Sequence, residues 1–367
     1  MIQVGRPVDG MQFIGREKEI QEIITYLKMG QSIVVIAPRR FGKTSLVLEV
    51  LRRMKKEKHY TGFIDVFEQI DLNQFSKSII AEVLDNHGLK KSYQATKGSI
   101  IALIKNVKLK AVVDDFEILL GLEDPEVKAI DQIASAVDFI EEFGSQADKT
   151  ITFAMDEYGD ILKFDKATAI IKMMRAKIQQ QKHTTYLFSG SYESVMDSLF
   201  VDSKSPFYRL ARKIELRYLE FSDVKKYMIK MLKKYQVDYD VKLIEDTIDF
   251  LKAHPYYCQL ALQQMFLYHT TKHKAPSFQD LLELIINSDR SYLEKIWEDI
   301  SSNKEMAYVL KHLSTHSSGI YTMANKENIN ASRAIKKLEG KGILYKENEI
   351  YHFYDPVFQQ WIADTIK

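Results

Sequence analysis

At 367 residues the chain exceeds one ordinary small domain, so two or three domains are expected. With 46% hydrophobic and 28% charged residues it has the composition of a soluble globular protein, and a formal net charge of +2 argues neither for a strongly basic nucleic-acid binder nor for an acidic tail, so any nucleic-acid surface is a local patch. The single cysteine, Cys258, excludes an internal disulfide framework and a multi-cysteine metal site, which suits a reducing, cytoplasmic setting.

From the N-terminus, Met1–Gly10 carries no apolar run with a basic flank, so no secretory leader is expected. Phe13–Met29 reads as a helix, with Ile20, Ile23, Ile24 and Leu27 at helical spacing. Ser32–Ile36 is a short β-branched run of the kind buried on both faces of a parallel sheet. Ala37–Gly42 is a loop, and Lys43–Lys55 a helix with Leu46, Val50 and Leu51 inward. Gly62–Phe67 is a second strand and Phe75–Leu84 a helix, while Leu109–Leu119 suggests a strand or hairpin. Ile130–Gly144 is a helix and Thr150–Met155 an apolar strand; Lys166–Gln181 is a long helix and Thr184–Ser189 a fourth strand, with Lys213–Leu219 as one more. Strands alternating with helices predict an α/β domain built on an open, mostly parallel sheet.

Beyond this point helices take over, at Ser222–Tyr235, Val241–Ala253, Tyr256–Thr271, Ser277–Ile286 and Tyr292–Ile300. Ser222 and Asp223 offer an N-cap and an early acid for the first of them. Helices at Lys304–Ser314, Tyr321–Asn328 and Ala331–Lys341 precede a strand pair over Ile343–Phe353, turning at Glu347-Asn348. That order predicts a winged helix-turn-helix. The expected boundaries are a core over 1–220, a helical lid over 221–290 and the winged unit over 291–367. No apolar stretch approaches the roughly 20 residues that span a bilayer.

Ala37-Pro38-Arg39-Arg40-Phe41-Gly42-Lys43-Thr44 lies between a buried strand and a helix, the setting of a phosphate-binding P-loop. Backbone amides of the loop and the helix N-terminus converge on one spot and attract an anion. Gly42 lets the backbone approach phosphates, Lys43 brings a charge to the β- and γ-phosphates, and Thr44 offers its hydroxyl to a Mg²⁺ ion. Arg39 and Arg40, inside the loop, are expected to face solvent. The apolar strand ending in Asp156-Glu157 has the Walker-B arrangement, with Asp156 on the metal side and Glu157 activating the attacking water. Ser189 or Ser191, after the next strand, is placed to touch the γ-phosphate or that water. Arg209 and Arg212 are candidates for stabilising transition-state charge.

These pieces in this order resemble the archaeal-type ATPase family, a branch of the STAND nucleotide-binding proteins close to AAA+ ATPases. The resemblance is carried by Phe13-Ile14-Gly15-Arg16-Glu17-Lys18-Glu19, by the loop through Ser45, by Phe63-Ile64-Asp65-Val66-Phe67, Met155-Asp156-Glu157-Tyr158, Phe188-Ser189-Gly190-Ser191, Pro206-Phe207-Tyr208 and His254-Pro255-Tyr256-Tyr257. It implies a P-loop ATPase core, a helical lid and a C-terminal winged helix, with ATP and Mg²⁺ as ligands. It also implies that Phe13, Ile14 and Arg16 lie near the adenine and that His254-Pro255 starts a lid helix reaching the nucleotide. Ala37 and Ala253 stand where many members have glycine. Ala331–Lys341 carries Arg333, Lys336 and Lys337 as a possible duplex-DNA face, diluted by nearby Glu327, Glu339, Glu347 and Glu349. Three readings stay open: a nucleotide-driven switch acting on a protein partner, a DNA-associated ATPase, and a nucleotide-binding scaffold with little turnover. A monomer or small oligomer at rest is expected.

Overall fold

The computed structural model describes residues 4–8, 10–85, 129–191, 193–316 and 318–366. The expected strand or hairpin at Leu109–Leu119 lies outside them.

Five strands form one parallel sheet: β1 (Ile33–Ile36), β2 (Tyr60–Asp65), β3 (Ile151–Asp156), β4 (Thr184–Gly190) and β5 (Arg212–Glu215), in the spatial order β2-β3-β4-β1-β5. β4 therefore separates the strand before the phosphate loop from the strand that carries the acids. Alternation along β1 divides its side chains between two cores. Ile33 and Val35 pack with Ile20, Ile23 and Leu27 of α1 (Glu17–Lys28) and Leu46, Val47 and Val50 of α2 (Lys43–Lys56). Val34 and Ile36 share the opposite core with Ile79 and Ile80 of α3 (Leu72–Asp85), Ile133 and Val137 of α4 (Ala129–Ala147) and Ile170 and Met174 of α5 (Ala167–Ile178). Both faces of the central strands β1, β3 and β4 are covered, and these three are buried along their whole length, whereas the edge strand β5 is exposed at both ends. Because all five run in parallel, their carboxyl ends lie along one edge of the sheet.

After α6 (Glu193–Phe200) and β5, the helices are α7 (Phe221–Lys234), α8 (Val241–Phe250), α9 (Pro255–Lys272) and α10 (Phe278–Ser301). The two helices expected at Ser277–Ile286 and Tyr292–Ile300 are one, of 24 residues, opened by a Ser277/Asp280 capping box and running unbroken through position 290. Its buried stripe is Leu281, Ile285, Asp289, Leu293 and Ile300, and the acid in that stripe interrupts the apolar periodicity that sequence reading follows. The chain ends with α11 (Lys304–Thr315), α12 (Ile320–Lys326), α13 (Ala331–Gly340), the antiparallel pair β6 (Leu344–Glu347) and β7 (Ile350–Phe353), and α14 (Pro356–Thr365). The hairpin turns at Asn348-Glu349, both left-handed, rather than at Glu347-Asn348. Sequence reading did not anticipate α14, whose Phe358, Trp361 and Ile362 are buried, capped by Asp355. Glu220, with no side-chain cap bond, precedes α7 in place of the expected Ser222, and Asp223 lies in its first turn.

One apolar core joins α7 to α14, and Ile14 and Leu219 from the sheet domain belong to it. Gly15 (φ +62) lies against α7: a Cβ there would stand 3.1 Å from the Asp223 carboxylate, which would have to give way, and the left-handed backbone itself favours glycine.

Candidate functional site

The loop Ala37–Gly42 runs from the carboxyl end of β1 into α2. Gly42 takes φ +80 and supplies no side-chain cap, so the first amides of α2 stay available to an anion. Three contacts fix the loop. Phe41 is buried, with ring centroids 4.7 Å from His254, 5.3 Å from Tyr218 and 5.9 Å from Tyr354. Arg16 donates to the carbonyls of Phe41 (3.1 Å) and Arg217 (2.7 Å). Lys43 donates from Nζ to the carbonyls of Ala37 and Pro38, each at 3.1 Å. Burial lowers the Lys43 pKa, opposed by the charges of Glu157 and Asp156.

At the ends of β3 and β4, each of the two consecutive acids is held by a serine. Asp156, almost fully buried, accepts from Thr44 Oγ1 on one oxygen and from Ser189 Oγ on the other. Glu157, in the left-handed region at φ 45, accepts from the Ser191 amide (3.0 Å) and from Ser191 Oγ. Each serine thus fixes an acid at the end of its strand. In register with Asp156, Asp65 ends β2, and its pKa is raised to about 6 by burial and by the charges of Asp156 and Glu157, against the Phe67 amide that it accepts.

The loop residues Gly42, Lys43 and Thr44, with Asp65, Glu157 and Ser191, line a cleft of about 620 Å³. Gly42, Lys43, Thr44, Glu157, Asp65 and Asp160 form its polar end, and Val8, Phe13, Ile14, Leu219 and Pro255 contribute apolar wall. Arg16, Arg39, Arg40, Phe41 and Ser45 also reach it. Ser45 has a further task, accepting the Val8 amide at 3.0 Å and so strapping the N-terminal segment over α2. Val8, Asp65, Asp160, Lys163, Leu219, Tyr256 and Gln259 line the cleft without having been assigned a role from sequence. Asp65 and Tyr256 fell inside quoted motifs, but nothing local distinguished them.

Several expected residues are elsewhere. Ala37 and Pro38 face a second hollow of about 530 Å³, bounded by Tyr218 and the β6 residues Leu344 and Tyr345. His254 is buried behind Phe41 rather than in the cleft; its Nδ1 has no hydrogen-bond partner, and burial, with the Arg40 charge, lowers its pKa to about 3. Arg40 stays at the edge of the cleft but is only partly exposed, because its guanidinium pairs with Asp289 of α10. Arg212 pairs through its backbone at the amino end of β1, opposite Ile33, and its side chain lies 4.4 Å over the Tyr26 ring and 3.6 Å from Glu22. Arg209, exposed on the approach to that strand, stacks at 5.1 Å on Tyr208. A parallel sheet puts these two arginines at its amino edge, away from the loop.

Thr44 and Asp156 present a hydroxyl and a carboxylate already in contact. Such hard oxygen donors suit Mg²⁺ held jointly with phosphate oxygens, and no cluster of three acidic, histidine or cysteine ligands occurs among the described residues to suggest a metal bound by protein alone.

Residues 13–257 match a family model described as an ATPase domain predominantly from Archaea. No curated protein matches the sequence. Among solved structures, the Walker-type ATPase of Pyrococcus abyssi superposes with a TM-score of 0.73 at 13% identity, covering 98% of this chain and 99% of that one. The ORC2 protein of Aeropyrum pernix, in ADPNP and ADP complexes, gives 0.59 at 10% identity over 94% and 92%. The ORC1 protein of the same organism, in complex with DNA, gives 0.51 at 10% identity over 96% and 93%. At these identities the structures establish a common fold.

Proposed function

The chain belongs to the family of ATPase domains found predominantly in Archaea and is an ATP hydrolase; from that premise we propose that ATP bound in the 620 Å³ cleft drives a conformational switch between the sheet domain and the helices that follow it. One observation carries this reading: the cleft is walled both by the phosphate loop and by Pro255, Tyr256 and Gln259 of α9, so one ligand touches both regions. In this reading 1–220 is the ATPase core, 221–290 a lid, and 291–367 a winged helix-turn-helix unit that α10 joins to the lid. The cytosol is the proposed location; among the described residues no helix is long and apolar enough to cross a membrane.

The residues assign roles as follows. The amides at the start of α2 and the Lys43 ammonium receive the phosphates, and the apolar wall around Phe13, Ile14 and Leu219 receives the base. Thr44 and Asp156 are the groups that would hold Mg²⁺, which when bound neutralises phosphate charge. Ser189 keeps Asp156 turned towards Thr44. Glu157 takes the proton of the water that attacks the γ-phosphorus as the bond to the β–γ bridging oxygen breaks, giving ADP and phosphate. Ser191 fixes the Glu157 carboxylate for that step.

A second reading, a DNA-associated ATPase, draws on one feature of the C-terminal region. Arg333, Lys336 and Lys337 are exposed on one face of α13, whose opposite face is buried through Ala334, Ile335 and Leu338. The test is ATP turnover by the protein and by Glu157→Gln, with and without duplex DNA. Turnover lost in the variant and indifferent to DNA supports the partner-directed switch. Stimulation by duplex, with binding that falls steeply as salt rises, supports the DNA reading. Tight ATP binding by both proteins with no turnover in either would count against a hydrolytic cycle in the isolated chain.

A further inference from the structure

Arg40 stands in the phosphate loop two residues before Gly42. Its backbone is left-handed, at φ +68, a conformation that costs an L-residue about 1–2 kcal/mol and persists where the surroundings over-determine it. The side chain leaves the loop and enters a socket made by two helices. Its Cζ lies 4.1 Å from the ring centroid of Tyr256 on α9 and 3.4 Å from that of Tyr292 on α10, and its guanidinium pairs with Asp289. Asp289 is only 6% exposed, and its second oxygen accepts the Tyr256 hydroxyl at 2.8 Å. A buried carboxylate within an apolar stripe is costly unless both oxygens are satisfied, and here Arg40 and Tyr256 satisfy them. Neither Asp289 nor Tyr292 lines the nucleotide cleft.

We infer that Arg40 is a positioning residue: its socket on α9 and α10 holds the phosphate loop in the shape that binds ATP, so that occupancy of the loop and the seating of α10 favour one another. The inference rests on the reading of the cleft as the ATP site. Three consequences follow from the geometry. The guanidinium charge is neutralised by Asp289 and is not spent on phosphate. Breaking the socket at Asp289 or Tyr292, away from the cleft, weakens ATP binding. By linkage, ATP binding strengthens the socket to the same extent. The opposite assignment, an arginine that serves the phosphates directly, gives the opposite sign: releasing it from Asp289 would make ATP bind more tightly.

The test is calorimetric titration of the full-length protein with ATP in the presence of MgCl₂, with thermal melts to establish that each variant is folded. Asp289→Asn and Tyr292→Leu are expected to weaken ATP binding about tenfold, a common size for coupling between linked sites. Tyr292→Phe, which keeps the ring, should bind as the unsubstituted protein does. Arg40→Gly removes the side chain but accommodates the left-handed backbone, and it should bind as weakly as Arg40→Ala. The double variant Arg40→Ala/Asp289→Asn should be no weaker than Arg40→Ala alone, because the two substitutions break one contact. Turnover should show a raised KM at nearly unchanged kcat. Unchanged or tighter ATP binding by folded Asp289→Asn or Tyr292→Leu would overturn the inference, as would additive losses in the double variant. Failure of the unsubstituted protein to bind ATP would instead overturn the nucleotide reading, and this inference with it.

Discussion

The two edges of the parallel sheet carry similar residue types to different ends. At the carboxyl edge, Lys43, Thr44, Asp156, Glu157, Ser189 and Ser191 come from separate segments and meet, because β1, β3 and β4 all finish there. At the amino edge Arg212 begins β5 opposite Ile33, and it settles on Tyr26 and Glu22 of α1, with Arg209 exposed just before it. A charged residue near a strand gains its role from which end of the strand it occupies. A positive side chain at the wrong end is a surface ion pair, worth little.

That contrast can be broken or sharpened by experiment. Glu157→Gln should lower kcat about 10³-fold, in the range of general-base removal, while ATP affinity by calorimetry stays within about threefold. Lys43→Ala should lower kcat/KM by about 10²–10³-fold, as loss of a preorganised positive donor does. The underside of the loop is tested by stability. The pKa of His254 is held near 3 in the folded chain against 6.5 when exposed, so the unfolded chain takes the proton first. Its contribution is present in full above about pH 6.5 and is lost as pH falls towards 3, reaching about 2 kcal/mol of lost stability at pH 5. Urea unfolding of His254→Phe should lack that part of the pH dependence; an unchanged profile would remove His254 as its source. Ser191→Ala should lower kcat about tenfold, the effect of losing one hydrogen bond to a charged group. Arg209→Ala and Arg212→Ala should each leave turnover within about twofold. A loss of tenfold or more in either would mean that the two edges are not separated in the working enzyme.

The chemistry-bearing residues were legible to the extent that they were local. Ala37–Thr44 and Asp156-Glu157 announce themselves by an apolar strand next to a short polar run, and both proved to be where a strand ends. Ser189 and Ser191 were found by the same logic, and the structure adds a contact that the sequence does not show: each holds an acid. His254 was read as reaching the nucleotide and instead supports Phe41 from behind, since only Pro255 of that pair opens on the cleft. Arg40 was expected in solvent and is instead enclosed by Tyr256, Tyr292 and Asp289. Its partners lie more than two hundred residues further along the chain, and no periodicity joins them to the loop. The same contact lies in the stretch that separated the two helices expected in place of α10: the polar run 287–291 contains Asp289, which an apolar stripe accepts because a cation arrives from elsewhere.

The sequence by itself determined the α/β order, the apolar strands, the phosphate loop, the acid pair and the change to helices near Phe221. Those follow from side-chain periodicity and from turn chemistry, which act over a few residues. Tertiary structure decided the strand order that inserts β4 between loop and acids, the edge to which each arginine belongs, and the fastening of Arg40 to α10. These depend on which surfaces must be buried against one another and which charges must be paired once buried, and such demands arise only when distant segments meet.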